Sequence, residues 1–317
     1  MECAYRGGPP LNNDVSGIGV RVSFYLQTLF LACLSARSDS LADLTGSLHT
    51  LIMTNVAMAV TALISGLRKH PLISFHDGLV VVYLLYLSWF TVVFALPSCN
   101  RFKASIRTLK IFSVVQSYTI FAFALTLLIQ AKSFGNTPEC NSHAVVVLFR
   151  PFSALIAGRI VGWIVTIVVV TFYSAITAKD YLPPPPKQMY QWVFKIRIRK
   201  PAPQPNNREL ELGQGMEFRD VRYDFRQRTF TSNSKQIEQP SYELPIAWDL
   251  VIRLFVICVF WSLTVMNTEL LIAWNRFDET EDPQTSWQFG QVLPMFLVVL
   301  PLLNVIRTFN DLGLRPQ

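Results

Sequence analysis

The stretch ALIAGRIVGWIVTIVVV, residues 154–170, decides the class of fold. Apart from Arg159 and Thr166, its residues are apolar or glycine. A hydrocarbon core about 30 Å thick takes roughly 20 apolar helical residues, and residues 152–176 reach that length. The stretch therefore predicts a membrane-spanning helix that carries a permanent positive charge.

The rest of the chain repeats this pattern. Of its 317 residues, 51% are hydrophobic and only 15% are charged, whereas about a quarter are charged in a soluble domain. The apolar residues gather in seven segments of spanning length: 17–36, 47–66, 78–97, 109–131, 152–176, 246–266 and 286–309. The predicted fold is an all-α membrane protein, a bundle of about seven transmembrane helices, located in the plasma membrane or an endomembrane. Residues 270–275 are a further apolar stretch that is too short to span.

Lysine and arginine predict the orientation, because positively charged loops stay on the cytoplasmic side. The loop after predicted helix 3 holds Arg101, Lys103 and Arg107 without an acid, and residues 179–244 hold twelve lysines and arginines. Residues 276–282 are mainly acidic. Alternation across seven helices then puts the N-terminus outside and the C-terminus in the cytoplasm, although the basic pair at residues 68–69 lands on the outer side.

The predicted organisation has five parts. These are an outer N-terminus at 1–16, helices 1–5 at 17–178, a Pro-rich basic cytoplasmic linker at 179–244, helices 6–7 at 245–309 and a cytoplasmic tail at 310–317. The linker is expected to be largely disordered, because it is polar and mixed in charge.

The composition also bears on partners. The net charge of +7 comes from residues that flank the spans, so the expected partner is the lipid bilayer and not nucleic acid. No Cys/His group has metal-ligand spacing, and neither a metal nor a cofactor is expected.

Cys3 and Cys140 both fall on the predicted outer side, where a disulfide would suit an oxidising compartment; two free thiols are the alternative. Nothing in the sequence specifies an oligomeric state.

Charges inside a span are energetically unfavourable and mark candidate functional sites. Arg159 is the deepest of them. Arg150 is expected at the outer interface, because the chain should break at residues 150–151. With Gln116 of predicted helix 4, these residues are the candidates for lining a cavity or binding an anionic ligand. Alternatively, Arg159 pairs with an acid or carbonyls and only holds the packing.

Small residues accompany Arg159. Gly158 and Gly162 form a G-x-x-x-G pair, and Ala154 extends the row by one turn. Such a row lets another helix approach closely, which predicts a helix-packing contact here.

Other charged residues lie near the ends of spans. Asp249 and Arg253 are four residues apart on one helical face and are expected to form an ion pair, with a cytoplasmic gate as the alternative. His76 and Asp77 open predicted helix 3, where Asp77 is expected to be the N-cap. Together with Glu269, just past predicted helix 6, they are also the candidates for a catalytic acid–base group.

Several classes of membrane protein are excluded by missing motifs. Predicted helix 7 lacks the lysine that an opsin needs for a retinal Schiff base. No D-R-Y follows helix 3 and no N-P-x-x-Y occurs in helix 7, so the rhodopsin-like receptor signature is missing. No zinc-protease, nucleophile-elbow or phosphate-loop motif is present either.

The stretches NDVSGIGVRVSFYLQ, FGNTPECN and LFRPFSALIAGRIVGW resemble a group of multi-pass membrane proteins of filamentous, notably mushroom-forming, fungi. The resemblance covers residues 12 to about 178. It implies a fungal source and a shared scaffold, and it implies no mechanism.

Three hypotheses of function follow. The first is a non-enzymatic, receptor-like or solute-responsive seven-helix protein that binds a small molecule. The second is a membrane-embedded enzyme of fungal secondary metabolism, similar to terpenoid cyclases, and the third is a channel or transporter subunit. The first is preferred because carboxylates deep in the spans are lacking, so the chain is not expected to be an enzyme.

Overall fold

The computed structural model describes Cys3 and residues 8–38, 40–99, 107–181, 247–275, 277–278 and 289–313. Within these residues, seven helices are long and apolar enough to cross a membrane. They are α1 Ile18–Arg37, α2 Leu41–Leu67, α3 Phe75–Cys99, α4 Arg107–Ile129, α5 Arg159–Tyr181, α6 Trp248–Asn275 and α7 Phe289–Leu312. The predicted all-α membrane bundle is confirmed. The predicted linker falls almost entirely on residues 182–246, outside the described residues.

Short elements gather at one end of the bundle. Strand β1 (Gly8–Pro10) pairs in parallel with β4 (Phe277–Asp278), and β2 (Val145–Leu148) forms an antiparallel hairpin with β3 (Arg150–Ser153). A 3-10 helix, Pro138–His143, precedes the hairpin, and a π-helical turn, Ala154–Gly158, leads from it into α5. Residues 150–151, where the sequence predicts a break, lie within strand β3, and the chain turns at Phe149.

Helix α3 is the centre of the bundle. It packs against α1, α2, α4 and α6, while α1 packs along most of α7. The main core contains fully buried side chains from three helices, among them Phe24, Leu84 and Phe123. In contrast, α5 and α6 expose rows of large apolar side chains, including Ile164, Phe172 and Phe255. Such a surface suits the hydrocarbon of a bilayer, where backbone polar groups must be satisfied within the helix.

The opposite end of the bundle is joined by polar contacts to the end of α7. Arg37, the last residue of α1, donates from Nε to the Gly313 carbonyl at 2.9 Å and from Nη2 to the Leu312 carbonyl at 2.7 Å. A guanidinium at a helix C-terminus satisfies carbonyls without helical partners and complements the helix dipole. This contact joins the end of α1 to the end of α7.

Two predicted boundaries are wrong. Helix α6 continues to Asn275, so residues 270–275 are its last turns and Glu269 lies within it. The N-cap of α3 is Ser74, and Asp77 lies three residues further on. The Ser74 hydroxyl accepts from the Asp77 N–H at 3.1 Å, while the Asp77 carboxylate accepts from the Ser74 N–H at 3.0 Å. This reciprocal arrangement is a capping box.

Candidate functional site

A cavity of about 280 Å³ lies between α3, α4, α5 and α6, beneath the hairpin. Its lining side chains are apolar except for four hydroxyl-bearing residues, Tyr83, Tyr86, Thr166 and Thr264. Ligand pockets in proteins have this character, with a mainly apolar wall and a few polar groups. The cavity is slightly smaller than the usual range for drug-sized ligands, about 300–1,000 Å³, and suits a small apolar molecule.

The α3 wall of the cavity is aromatic. Tyr83, Tyr86 and Phe90 line it at a spacing of three to four residues. Trp89 lies behind this wall, buried against Phe121 at a ring-centroid distance of 5.5 Å, with its Nε1 donating to the Ser117 hydroxyl at 2.9 Å. The buried Tyr86 hydroxyl has no hydrogen-bond partner of standard geometry among the described residues; the Thr166 side chain is its polar neighbour.

The small-residue row shapes the α5 wall. A Cβ at Gly162 would lie 2.7 Å from Leu128 Cδ2 of α4, and one at Gly158 would lie 3.1 Å from Val146 Cγ2 of the hairpin. Both distances are shorter than ordinary Cβ contacts, so Gly162 lets α5 approach α4 closely and Gly158 lets the π-helical turn approach β2 closely. Ala154 is buried one turn earlier, and its N–H donates to the Ala144 carbonyl at 2.9 Å. Gly158 and Gly162 of the predicted packing row also line the cavity.

The hairpin roof is held by side chains of α6 and α3. Asn275 accepts from the Val145 N–H at 2.8 Å and donates to the Val145 carbonyl at 2.9 Å. Asn267 accepts from the Phe149 N–H at 2.8 Å, and the Tyr83 hydroxyl donates to the Val147 carbonyl at 2.6 Å. These bonds satisfy backbone groups at the edge of β2 that would otherwise be unpaired.

The three residues that the sequence predicted to line a cavity, Arg159, Gln116 and Arg150, are not among its lining residues. Arg159 is partly exposed and is not among the cavity-lining residues, so the structure does not place it on this cavity. Gln116 is fully buried in α4 away from the cavity, and neither of its amide atoms has a hydrogen-bond partner among the described residues. Arg150 is exposed on β3, directly opposite Leu148 of the cavity wall. No ion pair or hydrogen bond in the described parts of the chain involves either arginine side chain.

The carboxylate of Asp77 is fully buried and fully engaged. It accepts from the Ser16 hydroxyl, from the Asn12 N–H at 3.1 Å and from the Ser74 hydroxyl at 2.8 Å, besides the cap contact. These bonds tie the N-terminal segment to the start of α3. His76 is buried beside it. Asp77 therefore has a structural role, because it joins the N-terminal segment to the start of α3.

Glu269 forms an ion pair with Arg21 of α1. It also accepts from the Tyr25 hydroxyl at 2.8 Å, and the Tyr25 carbonyl accepts from Trp261 Nε1 at 2.9 Å. The Arg21 side chain is 10% exposed, so it lies inside the bundle and does not extend freely to the headgroups. The contact joins α1 to α6, and sequence reasoning missed it because the partners are 248 positions apart.

The two remaining predicted pairs are both formed. At the start of α6, Arg253 Nη2 lies 2.7 Å from Asp249 Oδ2, and the side chains of Asp249 and Arg253 are 78% and 57% exposed. Cys3 and Cys140 form a disulfide between the N-terminal segment and the 3-10 helix. Among the described residues, no group of histidine, cysteine, aspartate and glutamate could hold a metal ion.

The asparagines that hold the hairpin had no signal in the sequence beyond their position in an apolar helix. A polar amide in a span is a packing candidate by default, and Asn267 and Asn275 fit that rule.

No family model matches the chain, and no curated protein or solved structure is significantly similar to it.

Proposed function

We propose that this chain is a receptor-like, non-enzymatic seven-helix membrane protein that binds a small membrane-soluble molecule in the cavity between α3, α4, α5 and α6. The observation that carries the proposal is the cavity itself, with its aromatic wall and its hydrogen-bonded hairpin roof. A bundle that only anchors a protein has no need of such a space, since interiors are otherwise close-packed. The fungal source implied by the sequence resemblance stays a prediction.

The contacts of the carboxylates favour this proposal over an enzyme. Catalytic acid–base chemistry requires a titratable group within reach of the substrate. Asp77 bonds to Ser16, Ser74 and Asn12, and Glu269 bonds to Arg21 and Tyr25. Neither carboxylate lines the cavity. A channel or transporter is less supported, because the cavity lining is apolar and would not hydrate an ion.

The test uses photoreactive ten-carbon probes, diazirine-bearing decanol and diazirine-bearing decanoate, with the full chain in phosphatidylcholine nanodiscs. After illumination, mass spectrometry maps the labelled residues. We expect at least one probe to label cavity residues such as Tyr83 and Thr166 more strongly than the lipid-facing residues Phe255 and Ile164.

A matched pair of variants assigns the labelling to the cavity. Ala124 lines the cavity, whereas Ala122 of the same helix is exposed. Ala124→Leu should reduce cavity labelling, and Ala122→Leu should leave it unchanged. If neither probe labels the cavity above the lipid-facing level, the proposed function is wrong. Val165→Phe, which also fills the cavity, replaces Ala124→Leu if that variant fails to fold.

In a receptor, binding of a ligand in the cavity must also change the rest of the protein. Hydrogen exchange of α6, from Trp248 to Asn275, should slow when the labelling probe is present, because α6 contributes both to the cavity and to the hairpin contacts. The Ala124→Leu variant should not show this change. An unchanged exchange rate in a chain that binds the probe would contradict the receptor part of the proposal.

A further inference from the structure

We propose that the ligand of this cavity is a single-chain amphiphile with an anionic head group, that Arg150 binds the head group, and that the chain reaches the cavity from the bilayer between α5 and α6. This inference rests on the proposed function and adds the chemical class of the ligand and its route. Three independent observations carry it: the register of the hairpin, the packing of α5 and α6, and the polarity of the cavity.

The register of the hairpin places Arg150 on the cavity face. Directly opposed residues of an antiparallel pair share a face, and so do residues two apart on one strand. Val146 is opposite Phe152, and Leu148 is opposite Arg150. Val146, Leu148 and Phe152 all line the cavity, so Arg150 is the fourth member of the same face. It stands at the tip of the hairpin, where that face reaches the surface.

The charge of Arg150 is available to a ligand. Its side chain is exposed and makes no ion pair or hydrogen bond with the described residues. A guanidinium stays protonated and offers five donors in a planar fork, which matches a carboxylate. The cavity lining contains no acidic side chain that could compete for it. A cation at the edge of an apolar space favours an amphiphile with a negative head and disfavours a positive one.

The packing of the helices opens the cavity toward the lipid. Helix α5 packs along α4, and α6 packs against α1 and α3, whereas α5 and α6 do not pack closely along each other in the described residues. Val161 and Val165 of α5 and Phe260 of α6 line the cavity and are also exposed on the surface of the chain. These residues therefore mark an opening that faces the bilayer, and Leu148, opposite Arg150, lines the same cavity.

The size and polarity of the cavity set the remaining features of the ligand. A volume of about 280 Å³ holds about nine groups the size of a water molecule or methylene, at about 30 Å³ each. A chain of about eight to ten carbons would fill it. Because lipid tails are as apolar as the cavity wall, moving the chain out of the bilayer yields little free energy. The head-group contact then decides which amphiphile is retained.

The same photoreactive probes test this inference, with decyltrimethylammonium carrying a diazirine as a third. We expect decanoate to label the cavity residues at least about threefold more than decanol, the difference that an ion pair of about 0.7 kcal/mol produces, and the cationic probe to label them least. Equal labelling by decanoate and decanol would overturn the inference and leave the proposed function intact.

Variants of Arg150 test the head-group contact. Arg150→Gln should lower decanoate labelling to the decanol level without changing decanol labelling, and Arg150→Lys should retain part of the preference. Arg159→Gln is the matched control, because Arg159 is a nearby cation that does not line the cavity. A loss of preference in Arg159→Gln and not in Arg150→Gln would overturn the assignment. Unchanged hydrogen exchange of residues 145–153 shows that the hairpin is intact.

A membrane phospholipid is the other source of an anionic head group. Nanodiscs that contain phosphatidylglycerol distinguish the two sources. If the ligand is a single-chain amphiphile, phosphatidylglycerol should compete weakly with decanoate. If it abolishes labelling at an equal mole fraction, the cavity binds a two-chain lipid and the single-chain assignment is wrong.

Discussion

At the scale of single residues, α6 carries two ion pairs of different kinds. Asp249 and Arg253 are four positions apart, and their side chains are 78% and 57% exposed. Glu269, whose side chain is 47% exposed, reaches a partner on another helix, and that partner, Arg21, is only 10% exposed. An exposed pair loses little when broken, because water solvates each charge. Removing the partner of a buried charge leaves that charge without compensation.

We therefore predict unequal effects for two similar substitutions. Glu269→Gln keeps the size of the side chain and can still accept from Tyr25, but it no longer neutralises Arg21. It should lower the free energy of unfolding by about 1–3 kcal/mol, whereas Asp249→Asn should lower it by less than about 0.5 kcal/mol. Equilibrium unfolding in mixed micelles measures both values. Equal losses would contradict the burial argument.

Two aspartates show how context changes the part played by one residue type. Asp43 and Asp77 each lie three residues after a serine N-cap, Ser40 and Ser74. The carboxylate of Asp77 accepts four hydrogen bonds from three other residues. Among the described residues, the Asp43 side chain accepts none. A serine three residues before an aspartate is typical of a helix start at both positions, and only the approach of the N-terminal segment distinguishes them.

At the scale of elements, the β2–β3 hairpin depends on two asparagines of α6. Asn267 and Asn275 are eight residues apart, about 12 Å along a helix, and their partners Phe149 and Val145 are four residues apart, about 13 Å along a strand. The matching distances let one helix bond to the first residue of β2 and to the turn residue that follows the strand. The positive φ of 63° at Phe149 is unfavourable for a bulky residue, and the bond from its N–H to Asn267 helps to hold it.

We predict that these asparagines keep the cavity roof closed. Asn275→Ala leaves the N–H and carbonyl of Val145 without their side-chain partner, so the hairpin should open more often. Hydrogen exchange of residues 145–153 should quicken by about fivefold or more, the effect of losing about 1 kcal/mol of hydrogen bonding.

The matched control for this measurement is Asn304→Ala in α7. Asn304 donates to the Ser47 hydroxyl at 3.2 Å, and it belongs to a different helix pair. The Asn304→Ala substitution should leave the hydrogen exchange of residues 145–153 unchanged. If Asn304→Ala and Asn275→Ala quicken it equally, the effect is global and the hairpin is not held by Asn275 in particular.

At the scale of the whole molecule, one end of the bundle is cross-linked repeatedly. The Cys3–Cys140 disulfide, the β1–β4 pairing and the Asp77 contacts all join the N-terminal segment to loops or helix starts at that end. Disulfides persist in oxidising compartments, so this end is expected to face the outside or an organelle lumen. The basic residues at 179–244 favour the same orientation, because they would then lie in the cytoplasm.

We predict that residues 179–244 are cytoplasmic. Protease added to sealed, right-side-out vesicles should leave this segment intact, and the same protease should cleave it after the vesicles are permeabilised. Under non-reducing conditions, mass spectrometry should recover the peptides of Cys3 and Cys140 joined. Cleavage of the segment in sealed vesicles would reverse the orientation.

The sequence by itself determined the properties that depend on neighbours along the chain. Hydropathy over about 20 residues identified seven spans because bilayer thickness sets their length, the spacing of Asp249 and Arg253 predicted their pair, and Gly158 and Gly162 predicted close packing. It misplaced the N-cap of α3 and the end of α6, because capping and helix extension depend on contacts with other segments. Only the tertiary structure decided that Arg21 meets Glu269 and that Arg150, instead of Arg159, shares a face with the cavity wall. Those outcomes depend on the packing of distant helices and on the hairpin register, where a shift of one residue would turn Arg150 to the opposite face.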